Sequence, residues 1–135
     1  LMQGKGTWPR GTVYRHPISS LDLYDTAAAS ADAPVKRSID GMNLLPYLTG
    51  KKNGKPHDRL FWRLNNKAAY RKGDWKILRN PARGKTGGWE LYDLAEDVSE
   101  QNDLAKKRTA KVDELLAEWE KLNTEMIDPI WRPKR

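Results

Sequence analysis

Two histidines, a run of acids and six tryptophans are the residues of this chain whose types could do chemistry. A zinc site needs three or four His, Cys or carboxylate ligands at workable spacing. His16 and His57 stand far apart, each next to a proline, and both read as surface or turn residues. Cysteine is absent, which removes the thiolate metal site, the disulfide framework and the cysteine nucleophile together. A serine nucleophile needs a base and an orienting acid. Ser19 and Ser20 instead precede an acid and an apolar run, and read as helix caps. Gly4, Gly6 and Gly11 do not sit between a strand and a helix, as a phosphate-cradling loop requires. The acids at 90, 93, 96, 97, 100 and 103 lack the alternating ligands, bend glycine and terminal glutamate of a calcium loop. They predict a solvated acidic loop. Tryptophans among basic residues suit stacking on sugars or bases. Yet Trp62, Trp75, Trp89 and Trp119 fall at strand or helix positions where core packing accounts for them, leaving Trp8 and Trp131 as the freer pair. Taken alone, these residues assemble no catalytic machinery and no metal site.

The elements that would position them are legible from period and punctuation. Arg59-Leu-Phe-Trp-Arg63, Lys67-Ala-Ala-Tyr-Arg71, Asp74-Trp-Lys-Ile-Leu-Arg79 and Trp89-Glu-Leu-Tyr-Asp-Leu94 each alternate charged with aromatic or branched residues. Alternation of that kind predicts half-buried strands. Asn65-Asn66 and Lys72-Gly73-Asp74 supply the positive φ of tight turns, and a longer loop spans 80–88. The prediction is a four-stranded antiparallel meander with one covered face. A helix over about 20–31 opens at Ser19 with an acid three residues on, and carries Leu21, Tyr24, Ala28 and Ala31 on one face. A short helical turn over 43–50 has Pro46 in its first turn and Gly50 at its end. The clearest helix covers about 108–126, with Val112, Leu115, Leu116, Trp119 and Leu122 as its apolar stripe. Leu104 is expected to pin the acidic loop. The fold class is therefore α+β, a small antiparallel sheet packed with a long C-terminal helix.

At 135 residues the chain holds one modest core, and its formal net charge is +7. Residues 1–90 carry 17 Lys and Arg against 7 Asp and Glu; residues 91–135 carry 8 against 11. A basic body suits anionic partners, and equally suits a solvated lysine-rich surface. No apolar run approaches the roughly 18–20 residues of a membrane-spanning helix. The chain opens with Leu1-Met2-Gln3 and not with a secretory leader, so it reads as a piece of something longer.

Four segments, in order, resemble the C-terminal portion of a bacterial arylsulfatase-type sulfatase of the alkaline-phosphatase-like superfamily. Gly11-Thr-Val-Tyr-Arg-His-Pro-Ile-Ser-Ser-Leu-Asp-Leu-Tyr-Asp-Thr26 resembles the strand that delivers an S-x-x-D-L-x-x-T helix. Asp40-Gly-Met-Asn-Leu-Leu-Pro-Tyr-Leu-Thr-Gly50 is similar to the family's D-G-x-x-L-x-P-x-L-x-G element. Ala69-Tyr-Arg-Lys-Gly-Asp-Trp-Lys76 resembles its A-V-R-x-G-D-W-K strand pair. Glu90-Leu-Tyr-Asp-Leu-Ala-Glu-Asp97, with Glu100-Gln-Asn-Asp-Leu104, is similar to its E-L-Y-D-L signature. Each motif is weak alone; four in family order over about ninety residues is a specific pattern.

The resemblance implies residues 1–56 as the end of a large α/β domain with its connector, 57–127 as the C-terminal subdomain, and 128–135 as a tail. It implies a sulfuric ester hydrolase as the parent, with calcium and a formylglycine made within a C/S-x-P/A-x-R motif. This chain has no match to that motif. Gly4-Lys5-Gly6 mimics the start of the family's sulfate-binding lysine stretch without its Glu-Gly-Gly, so no catalytic role falls on Lys5. The piece is expected to hold no cofactor of its own, to be inactive alone, and to pack against the upstream catalytic domain as a wall of the substrate cleft. The implied substrate is a sulfated carbohydrate or aryl sulfate, with Arg15, His16, Arg63 and Asn65 as the residues to touch it. Neither nucleic acid nor membrane is an expected partner, and a periplasmic or secreted parent is the plausible setting. Two alternatives stand beside this reading: the same region of a related phosphodiesterase or phosphonate hydrolase, and an autonomous module that binds anionic polysaccharide.

Overall fold

A computed structural model of the chain describes residues 6, 11–33, 35, 39–81 and 87–127. Trp8, Trp131 and the tail at 128–135 lie outside them. The chain divides into two compact units, Leu1–Asp58 and Arg59–Arg135.

In the second unit the alternating segments form β1 (Arg59–Leu64), β2 (Lys67–Lys72), β3 (Trp75–Arg79) and β4 (Glu90–Asp93), in that spatial order and antiparallel throughout. Asn65 takes φ +54° in the first turn and Gly73 φ +60° in the second, the backbone region that two-residue hairpins demand. Because side chains alternate across a strand, Phe61, Ala68, Tyr70, Ile77 and Leu91 share one face. Across it lies α3 (Thr109–Thr124), whose Leu115 and Trp119 complete the buried core. Val112, Leu116 and Leu122 pack beside them, as the apolar stripe predicts, with Trp75, Trp89 and Leu104 closing the margins. Full burial of such side chains stabilises by about 1.5–3 kcal/mol each, which outweighs helix propensity in holding α3. The stretch after β4 is irregular, and the Leu104 N–H donates to the Leu91 carbonyl at 2.8 Å, fixing it as expected.

A polar clamp joins α3 to β2. Glu118 accepts the Tyr70 hydroxyl at 2.7 Å on one oxygen and the Lys72 ammonium on the other. Burial, then the bond to Glu118, pushes the Tyr70 hydroxyl up to about 12. The hydrogen bonds from Lys72 and then Tyr70 hold the Glu118 carboxyl below its usual range. The signs differ. Tyr70 contributes stability that is complete below pH 10 and is lost as pH rises through about 12. Glu118 contributes stability present above its ordinary range and lost as pH falls through its lowered pKa. An ultraviolet titration of the tyrosinates is expected to show a late-ionising component near pH 12 that loses one tyrosine in Tyr70→Phe and has one shifted earlier in Glu118→Gln. A Glu118→Gln curve superimposable on wild type would remove the clamp from this account.

The first unit carries α1 (Asp22–Ser30) and the short α2 (Leu45–Leu48), with Pro46 in its first turn. The sequence predicts α1 over about 20–31 with a serine cap. The structure starts it at Asp22, since Leu21 already has helical φ and ψ and no side-chain cap bond forms. Ser19 Oγ accepts the Leu21 N–H at 3.3 Å, while Asp22 reaches back to the Ser19 N–H at 2.7 Å. The face carrying Leu21, Tyr24, Ala28 and Ala31 is turned outward: Leu21 is 56 % and Tyr24 65 % exposed. The polar face is the buried one.

Candidate functional site

Asp22 and Thr26 lie one turn apart on α1 and are both fully buried. Four residues of helix rise about 6 Å, close to the spacing of alternate residues in extended chain. That match lets the two side chains take successive inward N–H groups of the segment leading into α2. Met42 N–H donates to Asp22 Oδ1 at 2.9 Å, and Leu44 N–H to Thr26 Oγ1 at 2.9 Å. Thr26 in turn donates to the Asp22 carbonyl at 2.7 Å. A Cβ on Gly41 would stand 2.2 Å from the Leu21 carbonyl oxygen, so glycine is what permits this approach.

His57 adds a third tie. Its Nε2–H donates into the Asp22 carboxylate, 2.9 and 2.8 Å from the two oxygens. The sequence presents His57 as a connector residue; its side chain is 12 % exposed and holds the connector onto α1. An Asp–His pair can orient an imidazole for proton transfer, but general-base catalysis also needs a hydroxyl or thiol within reach of the ring. No such group is hydrogen-bonded to His57 among the described residues. Asp22 is therefore a hub that joins the α1 entrance, the segment into α2 and the connector.

The four residues implied as substrate contacts fall into two pairs. Arg15 and His16 are exposed neighbours in the first unit, and the His16 ring meets Tyr14 edge-on with centroids 5.3 Å apart. Arg63 and Asn65 belong to the β1–β2 hairpin of the second unit. Asn65 is exposed at the turn. The Arg63 guanidinium is half-buried and donates to Asn123 Oδ1 at 2.6 Å and to the Ile127 carbonyl, so it fastens β1 to the end of α3.

The acidic stretch is bonded internally rather than simply solvated. Asp103 accepts the Leu91 and Ala105 N–H groups, Asp97 that of Asn102, and Glu100 the Lys76 ammonium. Backbone hydrogen bonds hold the Asp97 carboxyl below its usual range. Among the described residues no three His, Cys, Asp or Glu side chains converge to hold a metal ion, so a calcium ion finds no fit among them. No described helix is long and apolar enough to cross a membrane.

No protein-family model matches the chain. An uncharacterized sulfatase of Schizosaccharomyces pombe is 37 % identical over 73 residues, which is 54 % of this chain and 13 % of that protein. The crystal structure of Ps i-CgsB superposes with a TM-score of 0.71 at 30 % identity, covering 93 % of this chain and 28 % of the other; the same protein is also known in complex with k-i-k-neocarrahexaose. A 2-O GAG sulfatase superposes with a TM-score of 0.62 at 27 % identity, over 78 % of this chain and 24 % of its own. The chain spans about a tenth of the length of its curated relatives and about a quarter of the solved structures. It shares sequence with part of the curated sulfatases and fold with part of the 2-O GAG sulfatase, as a C-terminal sulfatase fragment does.

Proposed function

We propose that this chain works as the C-terminal subdomain of a sulfuric ester hydrolase, packing against an upstream catalytic domain of the same polypeptide and lining its substrate cleft. The observation that carries the reading is the match to the 2-O GAG sulfatase, in which 78 % of this chain corresponds to 24 % of a larger body. The helix α1 supports it physically. A helix that buries Asp22 and Thr26 while exposing Leu21, Leu23 and Tyr24 presents an apolar surface suited to contact with another domain.

In this reading the parent acts on a sulfated carbohydrate, in keeping with the oligosaccharide complex of Ps i-CgsB and the 2-O GAG sulfatase among the neighbours. The basic body would draw such a substrate. Arg15, His16 and Asn65 are exposed and free to face it, and Arg63 would set the pose of the hairpin that carries Asn65. Calcium and the formylglycine would belong to the upstream domain. The chain alone would hydrolyse nothing.

The test is to express the upstream domain of the same gene separately and mix it with this chain. Sulfate release from a chromogenic aryl sulfate or a sulfated oligosaccharide should appear in the mixture and be absent from the chain alone. Arg15→Ala, His16→Ala and Asn65→Ala should then raise KM several-fold with kcat nearly unchanged, since they would bind ground and transition states alike. No association with the upstream domain, together with tight and steeply salt-dependent binding to heparin, would overturn the proposal in favour of an autonomous polyanion-binding module.

A further inference from the structure

At the end of β3 the Arg79 side chain lies among aromatic rings, with its guanidinium carbon 5.1 Å from the Trp89 ring centroid and 5.7 Å from that of Trp119. The two rings meet edge-on at 5.2 Å. No carboxylate pairs with Arg79 among the described residues. Among the described residues its Nε–H is buried without an acceptor, and so is the indole Nε1–H of Trp119, a side chain only 6 % exposed. Buried N–H groups are nearly always bonded, because each one left unmade costs its full desolvation. Opposite Arg79 in the sheet stands Ala68, the smallest side chain that could occupy the position without glycine's backbone freedom.

We propose that Arg79 and Trp119 form an oxyanion socket. One oxygen of a sulfate or carboxylate group would take the Arg79 Nε–H and another the Trp119 Nε1–H. The Arg79 guanidinium carbon stands 5.7 Å from the Trp119 ring centroid, near enough for both donors to serve one such group, and the guanidinium supplies the charge complement. Arginine is the residue for this task, since its planar fork presents Nε–H toward an oxyanion while its face rests on the rings. The occupant is either the sulfate of a ligand or the side-chain carboxylate of a neighbouring domain. The inference does not rest on the hydrolase reading, because it concerns groups within one unit.

The experiment follows the tryptophan indole N–H signals of the 15N-labelled 135-residue chain, with the Trp119 signal assigned by its loss in Trp119→Phe. Sodium sulfate and sodium acetate are titrated separately, against sodium chloride at matched ionic strength. A saturable shift of the Trp119 signal is expected with sulfate or acetate and not with chloride. Affinity should fall at least tenfold in Arg79→Gln and less in Arg79→Lys, which keeps the charge but not the fork. Saturation by sulfate alone identifies a sulfated occupant, and equal saturation by acetate a carboxylate. Absence of a saturable shift with both anions, or identical curves in wild type and whichever Arg79 variant gives a dispersed spectrum, would overturn the socket. Neither result bears on whether the upstream domain associates, so the two proposals fail separately.

Discussion

Replacing Gly41 by alanine is expected to unseat the segment that leads into α2 and to strip the first unit of its central hydrogen bonds. The added Cβ would lie 2.2 Å from the Leu21 carbonyl oxygen, 2.7 Å from its carbon and 3.3 Å from the Asp22 nitrogen. All three are backbone atoms, so no side-chain rotation relieves the clash. The segment must retreat, and as it does Met42 and Leu44 lose the acceptors on Asp22 and Thr26. Asp22 then keeps a buried carboxylate with fewer donors. Loss of bonds to a buried charge costs on the order of 3–5 kcal/mol, most of it the desolvation of the group left behind. Amide exchange at Met42 and Leu44 should accelerate by several orders of magnitude, and thermal stability should fall by more than about 10 °C. Gly54→Ala is the control: Gly54 has φ +90° but open space around it, so the expected cost is only the roughly 1–2 kcal/mol of a strained backbone. Unchanged exchange at Met42 in Gly41→Ala would remove the close approach from this explanation.

What the sequence disclosed and what it hid follow one physical division. Strand alternation, turn glycines and the α3 stripe are local patterns, and β1 to β4 and α3 appear within a residue or two of where they are read. Periodicity also finds the apolar face of α1, but it cannot say which face a helix buries. That choice is made by partners distant in sequence: Met42 and Leu44, twenty and eighteen residues on, and His57 thirty-five on. In the function proposed above, the surface that covers this face belongs to the upstream domain, so the rule that apolar faces are inside does not hold within this chain alone. His57 carried no local sign of its role, since a histidine after Pro56 looks the same whether it is solvated or pinned. Asp22 did carry one, as the acid three residues after Ser19, but capping accounts for that pattern in sequence. Among the residues implied as substrate contacts, Arg63 shows the same limit. Its position on a hairpin suggests exposure, and only the register of β1 against the end of α3 puts its guanidinium on Asn123. The inward turn of Arg79 was hidden for a related reason. Alternation assigns it to the Ile77 face, but a cation at the margin of a core looks like a strand end until the rings are placed around it.

Trp119→Ala is expected to be the most damaging single change in the second unit, and Trp119→Phe to be nearly silent by comparison. The Trp119 ring stacks on Phe61 at 5.7 Å and 15°, meets Trp89 edge-on, and lies under the Arg79 guanidinium. Truncation to alanine leaves a cavity where β1, β3, the residue before β4 and α3 all contribute aromatic or cationic surface. Removing a core tryptophan costs about 3–5 kcal/mol, with the larger values where surroundings cannot collapse. The sheet is paired along its length and α3 is anchored by Leu115, so collapse here is limited. Phenylalanine keeps an aromatic ring and part of the volume, and it deletes an N–H that has no partner, which relieves a desolvation cost of about 1–3 kcal/mol. The two effects of Trp119→Phe oppose each other, and denaturant unfolding without added anion should place the variant within about 1.5 kcal/mol of wild type. Sulfate then separates the roles of the ring and its N–H. If the indole serves an oxyanion, wild type should gain stability with rising sulfate beyond the general salting-out of the phenylalanine variant, because a ligand that binds only the folded state stabilises it by mass action. Parallel sulfate dependence in the two proteins would leave Trp119 as a packing residue whose nitrogen is an uncompensated cost of a large flat ring.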